Sequence, residues 1–260
     1  MKCLIKQFAG LLPVLVLFPL SGCASSPDYT LTPPASTEWV TVAVKFPPET
    51  EVVPLDVLYR SDICRREDYD PTTESHVRTI KGFNPMRFQL GSPDNAGVRR
   101  VRVALDGGTS CSWTLSGIRL GIQLSKSSSL IKGGEPVPSD YVFDFDDEGY
   151  SSAFGHGKPK RVSGNINLTT DFFPVISHHR DNGVSVKLFG GDIRNDQWKR
   201  YFRVSGSNEI LIQPIIHMDK AVTVVPPNPP PGDLIATYPD GSTSKLSYIY
   251  PDYKKLLSMK

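Results

Sequence analysis

Residues 38–46 read EWVTVAVKF, with Val40, Val42, Val44 and Phe46 on one side and Thr41 and Lys45 on the other. A period of two marks a half-buried strand, because successive side chains on extended backbone point to opposite faces. The period returns in GVRRVRVAL, where Val101, Val103 and Leu105 oppose Arg100 and Arg102. It returns again at Tyr141, Phe143 and Phe145, and at Val184, Val186 and Leu188. In SCSWTLSGIRLGIQL the apolar positions are odd at Trp113 and Leu115 but even from Ile118 to Leu124. The phase flips at Ser116-Gly117, as one extra residue in a β-bulge would make it do. EILIQPII is apolar on both faces, yet its Pro214 argues against a central strand. Phe172 and Phe173 are adjacent, so a strand would place one ring in the core and the other away from it.

The chain holds 23 Pro and 21 Gly, and no convincing amphipathic helix precedes the final DYKKLLSMK, which could form one or two turns. The expected class is therefore all-β, a β-sandwich. LIATYPDGSTSKLSYIY reads as a hairpin turning at Pro239-Asp240-Gly241. The folded part is long enough for one large sandwich or two small ones, and LSKSSSLIKGGEPVPSD is the one good internal boundary. The expectation is two packed β modules, 38–126 and 127–260, the second carrying the hairpin and a short terminal helix. Between the early strands, YRSDICRREDYDPTTESH is polar and turn-rich, which puts Cys64 on a long connection or a short edge strand.

The N-terminus has Lys2, Lys6 and an apolar run from Phe8 to Leu20. That run falls short of the ~20 residues a spanning helix needs. A positive start, a short apolar core and small residues before a cut form a secretory signal peptide, here 1–22. Leu20-Ser21-Gly22-Cys23 resembles the bacterial lipobox. That resemblance implies a lipid on Cys23 and cleavage just before it. Ala24 and Ser25, with no Asp there, resemble the sorting pattern for the periplasmic face of the outer membrane. Residues 23–37, rich in Ser, Thr and Pro, are expected as a flexible tether. The full chain has 29 Lys+Arg and 27 Asp+Glu; two of the lysines precede Cys23, so the remainder balances 27 against 27. There is no basic field to hold nucleic acid or an anionic bilayer surface, and the expected anchor is the lipid alone. With Cys3 removed and Cys23 acylated, Cys64 and Cys111 remain, and in an oxidising compartment they are expected to pair. Closing a loop of about 48 residues stabilises by ~4 kcal/mol on a chain-entropy argument. A two-Cys metal site would need further ligands, and only His76 is near in sequence. Trp113, two residues from Cys111, is expected to pack beside the disulfide.

Chemical motifs are sparse. No G-x-S-x-G is present, which excludes an α/β-hydrolase elbow. His178 and His179 would point to opposite faces of a strand and read as surface histidines at its end rather than ligands. DFDDEG, Asp144 to Gly149, fails as an EF-hand because position twelve is Gly155. It reads as a solvated acidic turn, an irregular cation site or a recognition loop for a basic partner. No cofactor, metal or catalytic residue is expected, and the chain does not read as an enzyme. Aromatic side chains on polar, flexible segments suit binding loops. The expected partner-binding residues are Asp144, Asp146, Asp147 and Glu148, with Tyr150 and Phe154, and Trp198 with Arg200. Trp198 reads equally as a hot spot beside Arg200 or as a plug of its own loop.

The lipobox, the length, the Pro/Ser tether, the all-β pattern and the TYPDGST…YIYP tail together resemble the periplasmic immunity lipoproteins of type VI secretion lipase effectors. The resemblance implies a membrane-tethered protein that binds an incoming phospholipase and blocks its active site; it assigns no residue-level site. The alternative is a structural or assembly lipoprotein of an envelope secretion or pilus machine. An envelope hydrolase or glycan-binding module is a more remote third class.

Overall fold

The computed structural model describes residues 27–150, 159–190, 199–246 and 250–259; Cys23, Phe154 and Trp198 lie outside them. In chain order the strands are β1 (Trp39–Lys45), β2 (Thr50–Val52), β3 (Leu55–Tyr69), β4 (Val77–Phe88), β5 (Val98–Ala104), β6 (Asp106–Gly108), β7 (Trp113–Leu124), β8 (Glu135–Val137) and β9 (Ser139–Asp144). They continue as β10 (Lys160–Ser163), β11 (Ile166–His178), β12 (Val184–Gly190), β13 (Lys199–Ser205), β14 (Glu209–Ile216), β15 (Val222–Val225), β16 (Leu234–Thr237) and β17 (Thr243–Leu246), followed by α1 (Tyr253–Ser258). The protein is thus nearly all β, with one short C-terminal helix among the described residues.

Two mixed sheets pack face to face. Sheet A has eight strands, with the path β10-β13-β9-β7-β3-β4 and with β2 and β6 also on β7. Sheet B has nine, with the path β17-β16-β15-β11-β14-β1-β5, while β12 pairs with β11 and β8 with β12. Phe172 pairs with both β12 and β14, and Val175 with both β12 and β15. A residue has only two edges, so β14 and then β15 run along one edge of β11 while β12 takes the other. Both sheets draw strands from either side of residue 126. β1 lies parallel to β14, and β7 lies against β9. The two packed layers are the sheets, not the two halves of the sequence.

The inter-sheet core is built by the alternations seen in the sequence. Val40, Val42 and Val44 of β1 belong to the same buried cluster as Ile118, Leu120 and Ile122 of β7, all at 0% exposure. The phase flip in β7 is a bulge: Leu58 pairs with Gly117 and Tyr59 with Leu115, which leaves Ser116 out of the register. Trp113 and Cys111 are buried in the same core cluster. The Cys64 and Cys111 sulfurs lie at bonding distance, with Cα atoms 5.2 Å apart.

Three expectations are corrected. Cys64 lies within the fifteen-residue strand β3, not on a connection. In the polar stretch YRSDICRREDYDPTTESH, Tyr59 and Ser61 are buried in the sandwich, while Arg66–Tyr69 pair with Val77–Ile80 as the largely exposed far part of the β3–β4 hairpin. β14 is central despite Pro214: β1 pairs with it only as far as Ile212, so the missing N–H falls beyond the end of that neighbour. Phe172 and Phe173 do point to opposite faces as their adjacency predicts, Phe172 between the sheets and Phe173 into a second buried cluster on the outer face of sheet B. That face is covered because the C-terminal segment returns over it with Tyr238 and Leu256. Helix α1 is capped there by Asp252, whose carboxylate accepts from Lys255 N at 3.0 Å. The third correction concerns the tether. From Asp28 onward it lies on the body: Trp113 Nε1 donates to Asp28 O at 2.7 Å, Asn84 Nδ2 to Tyr29 O at 3.0 Å and Thr32 N to Gly107 O at 2.8 Å. A buried indole N–H needs an acceptor, and this segment supplies it.

Candidate functional site

The acidic segment begins where β9 ends. Alternation sends Tyr141 and Phe143 into the inter-sheet core and Asp144 to the outer face of sheet A. There the chain turns back across its own sheet, and the bulge residue Ser116 holds it. Phe145 N donates to Ser116 O at 2.9 Å, and Ser116 Oγ donates to Asp146 Oδ1 at 2.6 Å. The extra residue thus re-aims one backbone carbonyl and one hydroxyl toward the turn, a common use of a bulge. Glu148 N donates to the same Asp146 carboxylate at 2.9 Å, closing a local side-chain turn.

Two arginines from neighbouring strands complete the brace. Arg203 of β13 donates to Asp146 O and, at 2.8 Å, to Asp147 Oδ1. Arg60 of β3 donates through Nε and Nη2 to Glu148 O at 3.3 and 3.0 Å. Lys81 Nζ lies 3.7 Å from Glu148 Oε1. Gly149 is required at its position, since a Cβ there would fall 2.3 Å from Asp144 Oδ1. Tyr150 then lies flat on Gly117, where any Cβ would come within 2.9 Å of its ring. Arg119 stands 5.4 Å from the Tyr150 ring centre and is paired with Asp56, which also takes Arg87 at 3.1 Å. Burial pushes the Tyr150 hydroxyl well above its ordinary value, and the Asp56 charge adds to the rise.

The structure therefore brings together Asp144, Asp146, Asp147, Glu148 and Tyr150 but gives them different tasks. Asp144 is 1% exposed, and Asp146 accepts the hydrogen bonds that shape the turn. Asp147 presents its carboxylate to solvent, with a side chain 99% exposed, and Glu148 is 43% exposed. Tyr150 is committed to its own sheet. Arg200 belongs elsewhere: it lies 5.5 and 5.7 Å from the Tyr141 and Phe172 ring centres, between the layers. Burial pushes the Tyr141 hydroxyl beside it up to about 12. Phe154 and Trp198 fall outside the described residues.

Sequence reasoning missed Arg203, Arg60 and Ser116. A signal existed for Arg203: three residues from Arg200 on a strand is an odd spacing, so the two arginines face opposite ways. Asp147 and Arg203 also wall an open cleft with Phe145, Arg161 and Val162. His178 ends β11 and His179 opens the hairpin turn, both exposed, with His179 Nε2 2.8 Å from Ser185 Oγ. Among the described residues no group of three His, Cys, Asp or Glu could hold a metal ion. No protein-family model matches this chain, and no curated protein or solved structure matches it.

Proposed function

We propose that the chain is a lipid-anchored protein on the periplasmic face of the outer membrane that binds and neutralises a secreted toxin, a type VI secretion lipase effector, by covering its active site. The observation that carries this reading is the braced acidic turn. Asp147 and Glu148 are presented on backbone held by Ser116, Arg60 and Arg203. A surface ordered before contact loses little conformational freedom on binding. Exposed carboxylates steer a basic partner and set its orientation, while apolar contact supplies most of the affinity. Inhibition of this kind needs no chemistry, only an interface of about 1,600 Å² in total. A lipase attacks membrane phospholipid, and an inhibitor tethered to that membrane is held at high local concentration where it is needed.

The test is survival. Cells that export the lipase effector encoded beside this chain should survive with the full-length chain and lyse without it. Equal resistance in cells lacking the gene would overturn the reading in favour of an assembly role in the envelope.

A further inference from the structure

Beyond Arg60, β3 leaves the body of the sandwich. β7 pairs with β3 only from Asp56 to Arg60, yet β3 continues to Tyr69 with β4 as its partner. The result is a two-stranded arm whose β4 edge runs from Gly82 to Val77, ~17 Å at ~3.3 Å per residue, because the register break between Ser61 and Arg66 adds residues to β3 without adding length. Such a ribbon is marginal in water by itself. Its root is fixed by the Cys64–Cys111 link and by Ser61, whose hydroxyl donates to Cys111 O and accepts from Cys64 N at 2.8 Å.

Large apolar side chains gather on this arm and at its root. Among the described residues the exposed ones are Tyr29 (50%), Ile63 (64%), Tyr69 (68%) and Val77 (44%) here, and Ile215 and Leu257 elsewhere. Tyr69 and Val77 are a cross-strand pair, so they share one face of the ribbon. Tyr29 belongs to the same end, because its carbonyl accepts from Asn84 of β4 and its ring stacks 5.9 Å from Trp113.

The covalent chain bounds how far the bilayer can lie from this end. Asp28 is bonded to Trp113, and Cys23 precedes it by five residues. Fully extended, those residues span no more than ~18 Å. A lipid on Cys23 therefore holds the Trp113 end of the sandwich within that distance of the bilayer, which is about the length of the arm itself. We propose that the β3–β4 arm, with Tyr29 at its root, rests on the bilayer surface through Ile63, Tyr69 and Val77; this rests on the lipid anchor proposed above. Tyrosine suits that interface, with an apolar ring and a polar tip. The four basic side chains Arg65, Arg66, Arg78 and Lys81 are outnumbered by five acids on the same arm, Asp62, Glu67, Asp68, Asp70 and Glu74. Apolar contact and a short tether hold the arm there, not a net charge.

The experiment compares amide hydrogen exchange in two samples. One is the lipidated chain on vesicles of phosphatidylethanolamine and phosphatidylglycerol; the other is the Cys23→Ser chain free in solution. The arm amides from Ile63 to Lys81 should slow about tenfold or more on the vesicles, while those of β16 and β17 stay unchanged. A chain that floats with the vesicles while its arm exchanges at the solution rate would overturn the inference and leave the arm to a protein partner. A chain that does not float at all would mean that the Cys23 anchor has failed, and the inference would fall with it.

Discussion

The acidic turn and the β3–β4 arm leave the same sheet through similar sequence, one as DFDDEG and the other as CRREDYDPTTESH. Their structures differ in one respect that decides their uses. The turn folds back on the face of sheet A and is held by a bulge residue, two arginines and a tyrosine. The arm runs off the sheet and is held only near its root. A polar, acidic composition thus says that a segment is wet, not whether it is ordered before it meets a partner. Ordering before contact favours tight recognition, whereas a free ribbon becomes ordered by what it touches.

The largest effect should come from the arm's root. Replacing both Cys64 and Cys111 by Ala should lower stability by up to ~4 kcal/mol, the loop-closure value for 47 residues of separation. A loss of unfolding free energy under ~1 kcal/mol in denaturant titrations would show that the root is held by packing instead. Next comes the turn. Ser116→Ala removes a buried donor to Asp146 and should cost about 1–2 kcal/mol. Amide exchange should rise in residues 145–150 and not in the arm. A rise in both would deny that the two segments are independent.

A smaller effect separates the arm from the rest by pH. Asp70 near its tip is held below the ordinary carboxylate range, first by the Thr72 hydroxyl, then by the Thr72 N–H and by Arg78. A depressed value means that the contribution is complete above ~3.9 and is lost as pH falls through the lower folded value. The tip of the arm should therefore loosen slightly in that acid range, and an Asp70→Asn chain should show no such step. Exchange at the tip that is flat with pH in the wild type would contradict it.

Much of the sandwich was legible because alternation reports burial directly. Val40, Val42 and Val44 lie where their period puts them, and the flip at Ser116-Gly117 is the bulge. What stayed hidden depends on partners distant in sequence. Pro214 looked wrong for a central strand because the end of β1 cannot be seen from β14. Phe173 faces away from the inter-sheet core, and its cover by Tyr238 and Leu256 cannot be read from its own stretch of sequence. The site was half legible for the same reason. The acidic run was visible, but Arg60 and Arg203, which decide which of its carboxylates point outward, come from 88 and 57 residues away.

The comparison is tested most directly by binding kinetics between a lipase effector of the proposed class and the soluble mature chain in three forms. Wild type should bind at a rate that falls with added salt. Asp147→Lys with Glu148→Lys should associate about tenfold more slowly or worse at low salt, with most of the salt dependence gone. Tyr69→Ser with Val77→Ser should bind as wild type does. Loss of binding by the arm variant, with the turn variant unaffected, would contradict the account.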